Sequence, residues 1–221
     1  MLRGVIFDID GTLVDSNDAH ASAWVETFAE AGYNVPFDVV RPLIGMGGDK
    51  LLPKTIRLKH DSKEGKTLGA RRSEVFREKY LPGLRALRGS RALVERVRRE
   101  GLKPIVATSA KDEELKGLLK AAEVADLMEE KATASDAKRS KPDPDIVQAA
   151  IDLAEIEAAE LVMIGDTPYD VEAATRAGVR IIGFRSGGWK DADLGGAIEI
   201  YDGPAHLLER YSSSLLGRNG D

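Results

Sequence analysis

The sequence predicts an α/β protein with a parallel sheet, helices on both faces of the sheet, and an inserted group of helices. Three observations predict this fold. A short apolar strand opens the chain and ends at Asp8. Residues 17–82 show helical patterns and no strand pattern. From residue 84, short apolar segments alternate with amphipathic helices, as in parallel sheets that are covered on both faces.

The elements can be placed in order along the chain. Ser16 is a suitable capping residue for a helix to about Ala31, whose apolar face includes Trp24 and Phe28. Two or three further helices are expected before Pro82-Gly83 ends the insertion. The later strands are predicted at 103–107, 160–164, 179–184 and 197–201, and the later helices at 90–100, 112–123, 144–153, 169–177 and 204–211. Residues 1–16 and 83–221 then form a core, residues 17–82 form a helical cap, and the tail 212–221 is expected to fray.

Composition excludes several classes of protein. The 221 residues contain no cysteine, which excludes disulfides, thiolate nucleophiles and cysteine metal sites. The net charge of −5 gives no global reason to expect nucleic acid or an acidic membrane as a partner, although residues 50–79 are locally basic. That basic segment is either a solvated face or a surface that steers anionic substrates. The first strand begins almost at once and no apolar run is long enough to span a membrane, so we expect a cytoplasmic protein.

The segment from Val5 to Ser16 is the most informative in the chain. An apolar strand runs directly into Asp8 and Asp10, and Gly11 and Thr12 follow. Buried carboxylates are costly unless they are paired or bound to a metal, so two of them at the end of a strand indicate a cation and a chemical use. The alternative is an Asp-Gly turn between two strands.

Other polar segments follow the later strands. In open α/β sheets, ligands bind beyond the carboxyl ends of the strands. Thr108-Ser109 follows the second strand, and the segment from Gly165 to Asp170 follows a later one. The loop Ser140–Pro144 lies between them in sequence. We therefore expect one pocket to collect these segments with Asp8 and Asp10, although each alone could be a helix cap or a solvated loop.

These residue types suit phosphoryl transfer. A carboxylate such as Asp8 can attack phosphorus and divide hydrolysis into two easier steps. Asp10 would protonate the leaving oxygen and later take a proton from water. Lys141 would balance negative charge, and Thr108 with nearby amides would hold phosphate oxygens. Mg²⁺ is the expected cofactor, because it takes oxygen ligands and screens the nucleophile from the phosphate. The predicted metal residues are Asp8, Asp166, Asp10 through a nearby main-chain carbonyl, and Asp170 either directly or through water.

Taken together, these motifs resemble the haloacid dehalogenase-like superfamily, specifically its phosphatases with a helical cap after the first motif. The segment from Asp8 to Thr12 resembles the first motif, Thr108 the second, Lys141 the third, and the segment from Gly165 to Asp170 the fourth. The resemblance covers nearly the whole chain and implies a Rossmann-like core with a mobile cap that closes over substrate. It also implies a set of substrate-binding residues: Gly11, Thr12, His20, Gly47, Gly48, Lys50 and Ser109.

Within this superfamily, the residues favour a phosphatase for a small phosphorylated metabolite. Dehalogenating members lack an acid at the position of Asp10. Sugar phosphomutases place an arginine in a cap loop that corresponds here to residues 44–50, where Gly47 and Gly48 stand, although Lys50 or Arg41 could substitute. A phosphomutase and a non-catalytic binding protein on the same fold remain alternatives. We expect no nucleic-acid or membrane partner and a monomer, with a dimer left open.

Overall fold

The computed structural model describes residues 1–220, with six parallel strands in one sheet. The strands are Gly4–Phe7 (β1), Lys103–Ala107 (β2), Glu130–Ala132 (β3), Leu161–Gly165 (β4), Arg180–Phe184 (β5) and Glu199–Tyr201 (β6). Their order is β3-β2-β1-β4-β5-β6. This is the doubly wound order, and its ligand crevice lies where the strand order reverses, beyond the ends of β1 and β4.

The α-helices of the described residues are Asn17–Glu30 (α1), Phe37–Val40 (α2), Gly48–Ile56 (α3), Lys63–Val75 (α4), Ser90–Arg99 (α5), Asp112–Ala121 (α6), Asp145–Ala154 (α7), Pro168–Arg176 (α8) and Pro204–Glu209 (α9). Helices α5 to α9 cover the two faces of the sheet. A π-helical turn, Phe76–Tyr80, extends α4. Single 3-10 turns lie at Arg41–Leu43, Leu81–Gly83, Ala134–Asp136, Ala158–Glu160, Arg185–Gly187, Tyr211–Ser213 and Gly217–Gly220.

The two faces of the sheet have separate hydrophobic cores, because successive side chains of a strand point to opposite faces. Val5 and Phe7 of β1 pack with helices α5, α6 and α9, whereas Ile6 packs with α7 and α8. Both faces are buried, as the run of apolar residues in β1 predicts. The predicted α/β fold is confirmed.

The helical segment after β1 has a third hydrophobic cluster. Trp24 and Phe28 of α1 pack there with Leu51 and Leu52 of α3 and Leu68 of α4. The division of the chain into a core, residues 1–16 and 83–221, and a cap, residues 17–82, stays a prediction. Below, "cap" denotes residues 17–82. Among residues 1–220, no helix combines the length and apolarity that a membrane crossing requires.

Two expectations need correction. The edge strand β3 was not predicted, because Glu130-Lys131-Ala132 has no apolar run and is a strand only through its pairing with β2. The tail was expected to fray from Ser212, yet Leu216 is only 2% exposed and packs into the core beside α9. Asp221, the last residue of that tail, lies outside the described residues.

Candidate active site

Asp8 lies one residue beyond β1, and Lys141 lies against it. The Nζ atom of Lys141 donates to Asp8 Oδ1 at 2.5 Å and to the Ala107 carbonyl at 3.1 Å, and it lies 2.7 Å from Asp170 Oδ1. Lys141 is only 1% exposed. Burial lowers its pKa, but the charges and hydrogen bonds of Asp170 and Asp8 outweigh burial and raise it. Lys141 is therefore a buried cation shared by two carboxylates.

Asp166 follows β4 and is fully buried beside Asp8. Its Oδ1 accepts from Thr12 Oγ1 at 3.0 Å, and its Oδ2 accepts from Asn17 Nδ2 at 2.8 Å. The same Thr12 hydroxyl lies 3.4 Å from Asp8 Oδ2. A Cβ atom at Gly11 would come within 2.1 Å of Asp166 Oδ2. Glycine is thus required at position 11 by the close approach of this carboxylate as well as by its positive φ of 75°.

Asp170 has both carboxylate oxygens engaged within the protein. Its Oδ2 accepts from the amide and hydroxyl of Thr167, at 3.0 and 2.6 Å, in the capping box that begins α8. Its Oδ1 pairs with Lys141. The side chain therefore both starts a helix and neutralises the buried lysine.

Oxygens of Asp8, Asp166 and Asp170 lie within 4.8 Å of one another, a grouping that could hold a metal ion. Burial raises the pKa of Asp8 to about 7; Lys141 opposes this rise and the charges of Asp170 and Asp10 add to it. Burial also raises the pKa of Asp166, helped by Asp170 and Asp8. Three carboxylates and one ammonium leave two uncompensated negative charges when all are ionised. An oxygen-rich, doubly negative site fits a divalent cation such as Mg²⁺.

Asp10 faces away from this group, toward the cap. Its Oδ1 accepts from Ser16 Oγ at 2.5 Å and lies 2.7 Å from His20 Nε2. Burial raises the pKa of Asp10, but the charge and hydrogen bond of His20, with Ser16 and Arg72, lower it below its ordinary value. The side chain of Asp10 lies outside the three-carboxylate group, because Ser16 and His20 hold it elsewhere. The metal ligand expected from the sequence is a main-chain carbonyl near Asp10, and it stays a prediction. Ser16, expected as a side-chain cap of α1, uses its hydroxyl on Asp10 instead.

Arg72 and Glu114 extend the contacts of Asp10, and sequence reasoning missed both. A terminal guanidinium nitrogen of Arg72 contacts His20 Nδ1, while its other terminal nitrogen donates to both carboxylate oxygens of Glu114 at 2.9 and 3.0 Å. A guanidinium only donates, so Nδ1 accepts and the ring proton lies on Nε2, facing Asp10. These partners are 42 to 52 residues apart in sequence, and no local pattern marks them.

Thr108 and Ser109 lie at the end of β2, as expected. Thr108 is fully buried, and its hydroxyl accepts from the Ala110 amide at 3.1 Å. Ser109 Oγ lies 3.5 Å from the Gly45 carbonyl and lines the cleft between core and cap. Ser109 is therefore placed to meet a ligand, whereas Thr108 shapes the turn that presents it.

Of the cap residues expected to bind substrate, three line the cleft and one does not. Gly47, Gly48 and His20 line the cleft. Lys50 does not; its ammonium pairs with Asp143 of the core. Gly11 and Thr12 also lie outside the cleft lining, since both are in contact with the buried carboxylates.

The cleft encloses about 110 Å³. Asp8 and Asp10 both line it, which places a candidate nucleophile and a candidate acid in one cavity. The remaining lining residues are His20, Trp24, Ile44–Gly48, His60, Gly69, Arg72, Ser73, Ser109, Ala110, Lys111 and Glu114. The volume suits a small ligand.

An acidic centre at the carboxyl edge of a doubly wound sheet, beneath a helical segment, defines a class of hydrolases. The sequence profile of haloacid dehalogenase-like hydrolases matches residues 5–184. The chain therefore belongs to this family.

Individual relatives agree with that assignment. The chain is 30% identical over 186 residues to the Caldanaerobacter subterraneus protein named "Putative pyrophosphatase PpaX", covering 83% of this chain and 82% of the relative. It is 29% identical over 219 residues to a phosphoglycolate phosphatase of Rhodospirillum rubrum, covering 94% and 90%. The crystal structure of a hydrolase from Pseudomonas syringae superposes with a TM-score of 0.88 at 29% identity, covering 96% of this chain and 98% of that chain.

Proposed function

We propose that the protein is a Mg²⁺-dependent phosphatase that hydrolyses a small phosphorylated metabolite through an aspartyl-phosphate on Asp8. The observation that carries this proposal is the cleft that Asp8 and Asp10 share, with Lys141 behind Asp8. The names of the phosphatase and pyrophosphatase relatives support hydrolysis of a phosphate ester or anhydride.

Asp8 and Asp166 would hold the metal, because each has a carboxylate oxygen that only Thr12 contacts among the described side chains. Asp170 would act indirectly, since both its oxygens are engaged with Thr167 and Lys141. When bound, Mg²⁺ would supply charge screening between the attacking carboxylate and the phosphoryl oxygens.

The chain's own residues divide the reaction into two steps. In the first, an Asp8 oxygen forms a bond to phosphorus, the bond from phosphorus to the leaving oxygen breaks, and Asp10 gives that oxygen its proton. In the second, water attacks the phosphorus, Asp10 takes a proton from the water, and the bond to Asp8 breaks. Ser16 and His20 are placed to donate to Asp10, which supports the ionised form that the second step requires.

The phosphomutase alternative loses the two cations that the sequence suggested for it. A mutase must hold a second phosphate, and Lys50 and Arg41 were the residues expected to replace the missing arginine. Lys50 is paired with Asp143, and Arg41 donates to Asp18 at 2.5 Å and to the Gly187 carbonyl at 2.8 Å. Neither lines the cleft. These contacts favour a phosphatase.

The test is phosphate release from a panel of phosphorylated metabolites with Mg²⁺, with and without a chelator. We expect release by the wild type, loss with the chelator, and a fall of on the order of 10³-fold or more for Asp8→Asn. Asp15→Asn is the matched control, since Asp15 is an exposed carboxylate of the same loop. Isomerisation of a sugar phosphate without net release of phosphate would identify a mutase. No reaction with any substrate, by protein that is folded and binds metal, would identify a non-catalytic protein.

A further inference from the structure

A loop of the cap holds both ends of the loop that carries Lys141. We call residues 44–50, which end in the first turn of α3, the cap loop, and residues 140–143 the lysine loop. Asp49 of the cap loop accepts from Ser140 Oγ at 2.5 Å and from the Ser140 amide at 3.3 Å. Lys50 pairs with Asp143. Lys141 lies between Ser140 and Asp143, so each end of its loop is tied to the cap.

The glycines of the cap loop allow this contact. A Cβ atom at Gly47 would lie 2.7 Å from the Cβ of Ser140, and one at Gly45 would lie 2.8 Å from Thr167 Cγ2. Real Cβ atoms do not approach that closely, so side chains here would separate the cap loop from the core. The loop thus fits directly onto the two segments that carry Lys141 and Asp170.

Asp143 is shared by cations of the core and of the cap. Asp143 also pairs with Arg176 at 3.0 Å and with Arg139 at 3.3 Å, both from the core. Arg176 ties Asp143 to α8, and Lys50 adds a tie from the cap at this end of the lysine loop. The Lys50 and Asp143 side chains are 23% and 12% exposed, so water screens this pair less than an open surface pair.

We propose that Asp49 and Lys50 are positioning residues: by binding Ser140 and Asp143, they hold the lysine loop so that Lys141 stays against Asp8. The inference rests on the proposed function only for its catalytic consequence. Its structural half, the coupling of the cap loop to the lysine loop, can be measured without turnover.

The first test is amide hydrogen exchange of residues 139–145 in the full chain without metal or substrate. Asp49→Ala, Lys50→Met and Ser140→Ala should each accelerate exchange about fivefold, the factor expected for one lost hydrogen bond. Ser140→Ala leaves α3 unchanged, so it separates loss of the contact from damage to that helix. Lys54→Met is the matched control, because Lys54 is an exposed lysine of α3 with no ion pair among those described. Unchanged exchange in all three folded variants would overturn the proposal.

The second test is the split between kcat and KM, measured with a chromogenic aryl phosphate and Mg²⁺. We expect kcat to fall about tenfold in Asp49→Ala and Lys50→Met with KM changed by less than about threefold, because these residues act through Lys141 and do not touch substrate. Lys50→Arg should recover most of the rate, and Lys54→Met should match the wild type. A raised KM with unchanged kcat would instead make Lys50 a substrate ligand.

The two tests separate the possible failures. An inactive wild type in which the variants still loosen the lysine loop would refute the phosphatase and leave the coupling in place. If the wild type is active and the lysine loop exchanges no faster in any variant than in the wild type, only the inference would be refuted.

Discussion

Asn17 is a residue whose importance only the structure reveals. It stands at the start of α1, where a sequence reading assigns it no special role, yet its amide donates to Asp166 at 2.8 Å and is buried with it. A hydrogen bond to a metal-binding carboxylate fixes the orientation of that carboxylate and tunes its affinity. Asn17 therefore belongs to the proposed metal centre although it lies in the cap.

We predict that Asn17→Ala weakens Mg²⁺ binding by about 10- to 100-fold, the usual cost of losing such a supporting contact. Titration calorimetry with Mg²⁺ measures the change directly. Asn34→Ala, at an exposed asparagine of the cap, is the control and should bind as the wild type does. Equal affinity in Asn17→Ala and the wild type would show that Thr12 and the main chain orient Asp166 sufficiently.

The choice of substrate can distinguish the role of Asp10 from that of Asp8. We predict that Asp10→Asn lowers steady-state turnover by about 10²- to 10⁴-fold, because general acid–base catalysis is lost. With an aryl phosphate whose phenol leaves without a proton, the first step should survive and phosphorylated Asp8 should accumulate. Rapid mixing should then show a burst of about one phenolate per enzyme molecule. A slow reaction without a burst would mean that Asp10 is also needed for the attack by Asp8.

At the scale of elements, α1 joins the cap to two carboxylates of the proposed active site, Asp166 and Asp10. Asn17 and His20 are three residues apart on this helix and therefore lie on one face. One contacts Asp166 and the other Asp10. His20 also stacks on Phe76, with ring centroids 4.0 Å apart, so the extension of α4 holds the imidazole from its other side. A shift of α1 would disturb the proposed metal ligand Asp166 and the proposed acid–base residue Asp10 together.

The glycines of the cap loop give a prediction at this scale. Gly47→Ala should reduce kcat by about tenfold or more while the fold remains stable, because the added Cβ would force the cap loop off Ser140. Gly83→Ala is the control, since no atom lies within 4 Å of the Cβ it would add. Activity assays paired with thermal unfolding measure the two effects. A Gly47→Ala variant as active as the wild type would show that the lysine loop can retreat at no cost to catalysis.

Elements with a local signal were predictable and those made by distant contacts were not. The strand β2 was predicted with its observed limits, because Lys103–Ala107 is a short apolar run between polar segments. Asp8 was singled out because it is a charged residue directly after an apolar strand. By contrast, β3 is a strand only through its pairing with β2. The contacts that run from Asp10 through His20 and Arg72 to Glu114 involve three helices. The partner of Lys50 lies 93 residues away in sequence. No periodicity in the sequence encodes such pairings.

For the whole molecule, the buried charge of the active site links stability to pH. A carboxyl whose pKa is raised in the folded state binds more protons when folded than when unfolded, so it lowers stability as the pH rises. The pKa of Asp8 is raised from 3.8 to about 7, and that of Asp166 is raised too. Without metal, Asp8 therefore lowers the stability of the folded protein progressively from about pH 4 to about pH 7, and this loss persists above pH 7. Asp166 acts in the same direction. A divalent ion that binds the deprotonated carboxylates, as we propose, would remove this disadvantage.

We predict that Mg²⁺ raises the melting temperature more at about pH 8 than at about pH 5.5, because protons compete with the ion for Asp8 and Asp166 at the lower pH. At a concentration of a hundred times Kd, binding adds about 2.7 kcal/mol, or roughly 5 to 10 °C for a chain of this size. Thermal unfolding followed by fluorescence measures the shift. Asp166→Asn should show little gain at either pH, whereas the exposed control Asp15→Asn should behave as the wild type does. An equal gain at both pH values in the wild type would show that the ion does not bind at these raised-pKa carboxylates.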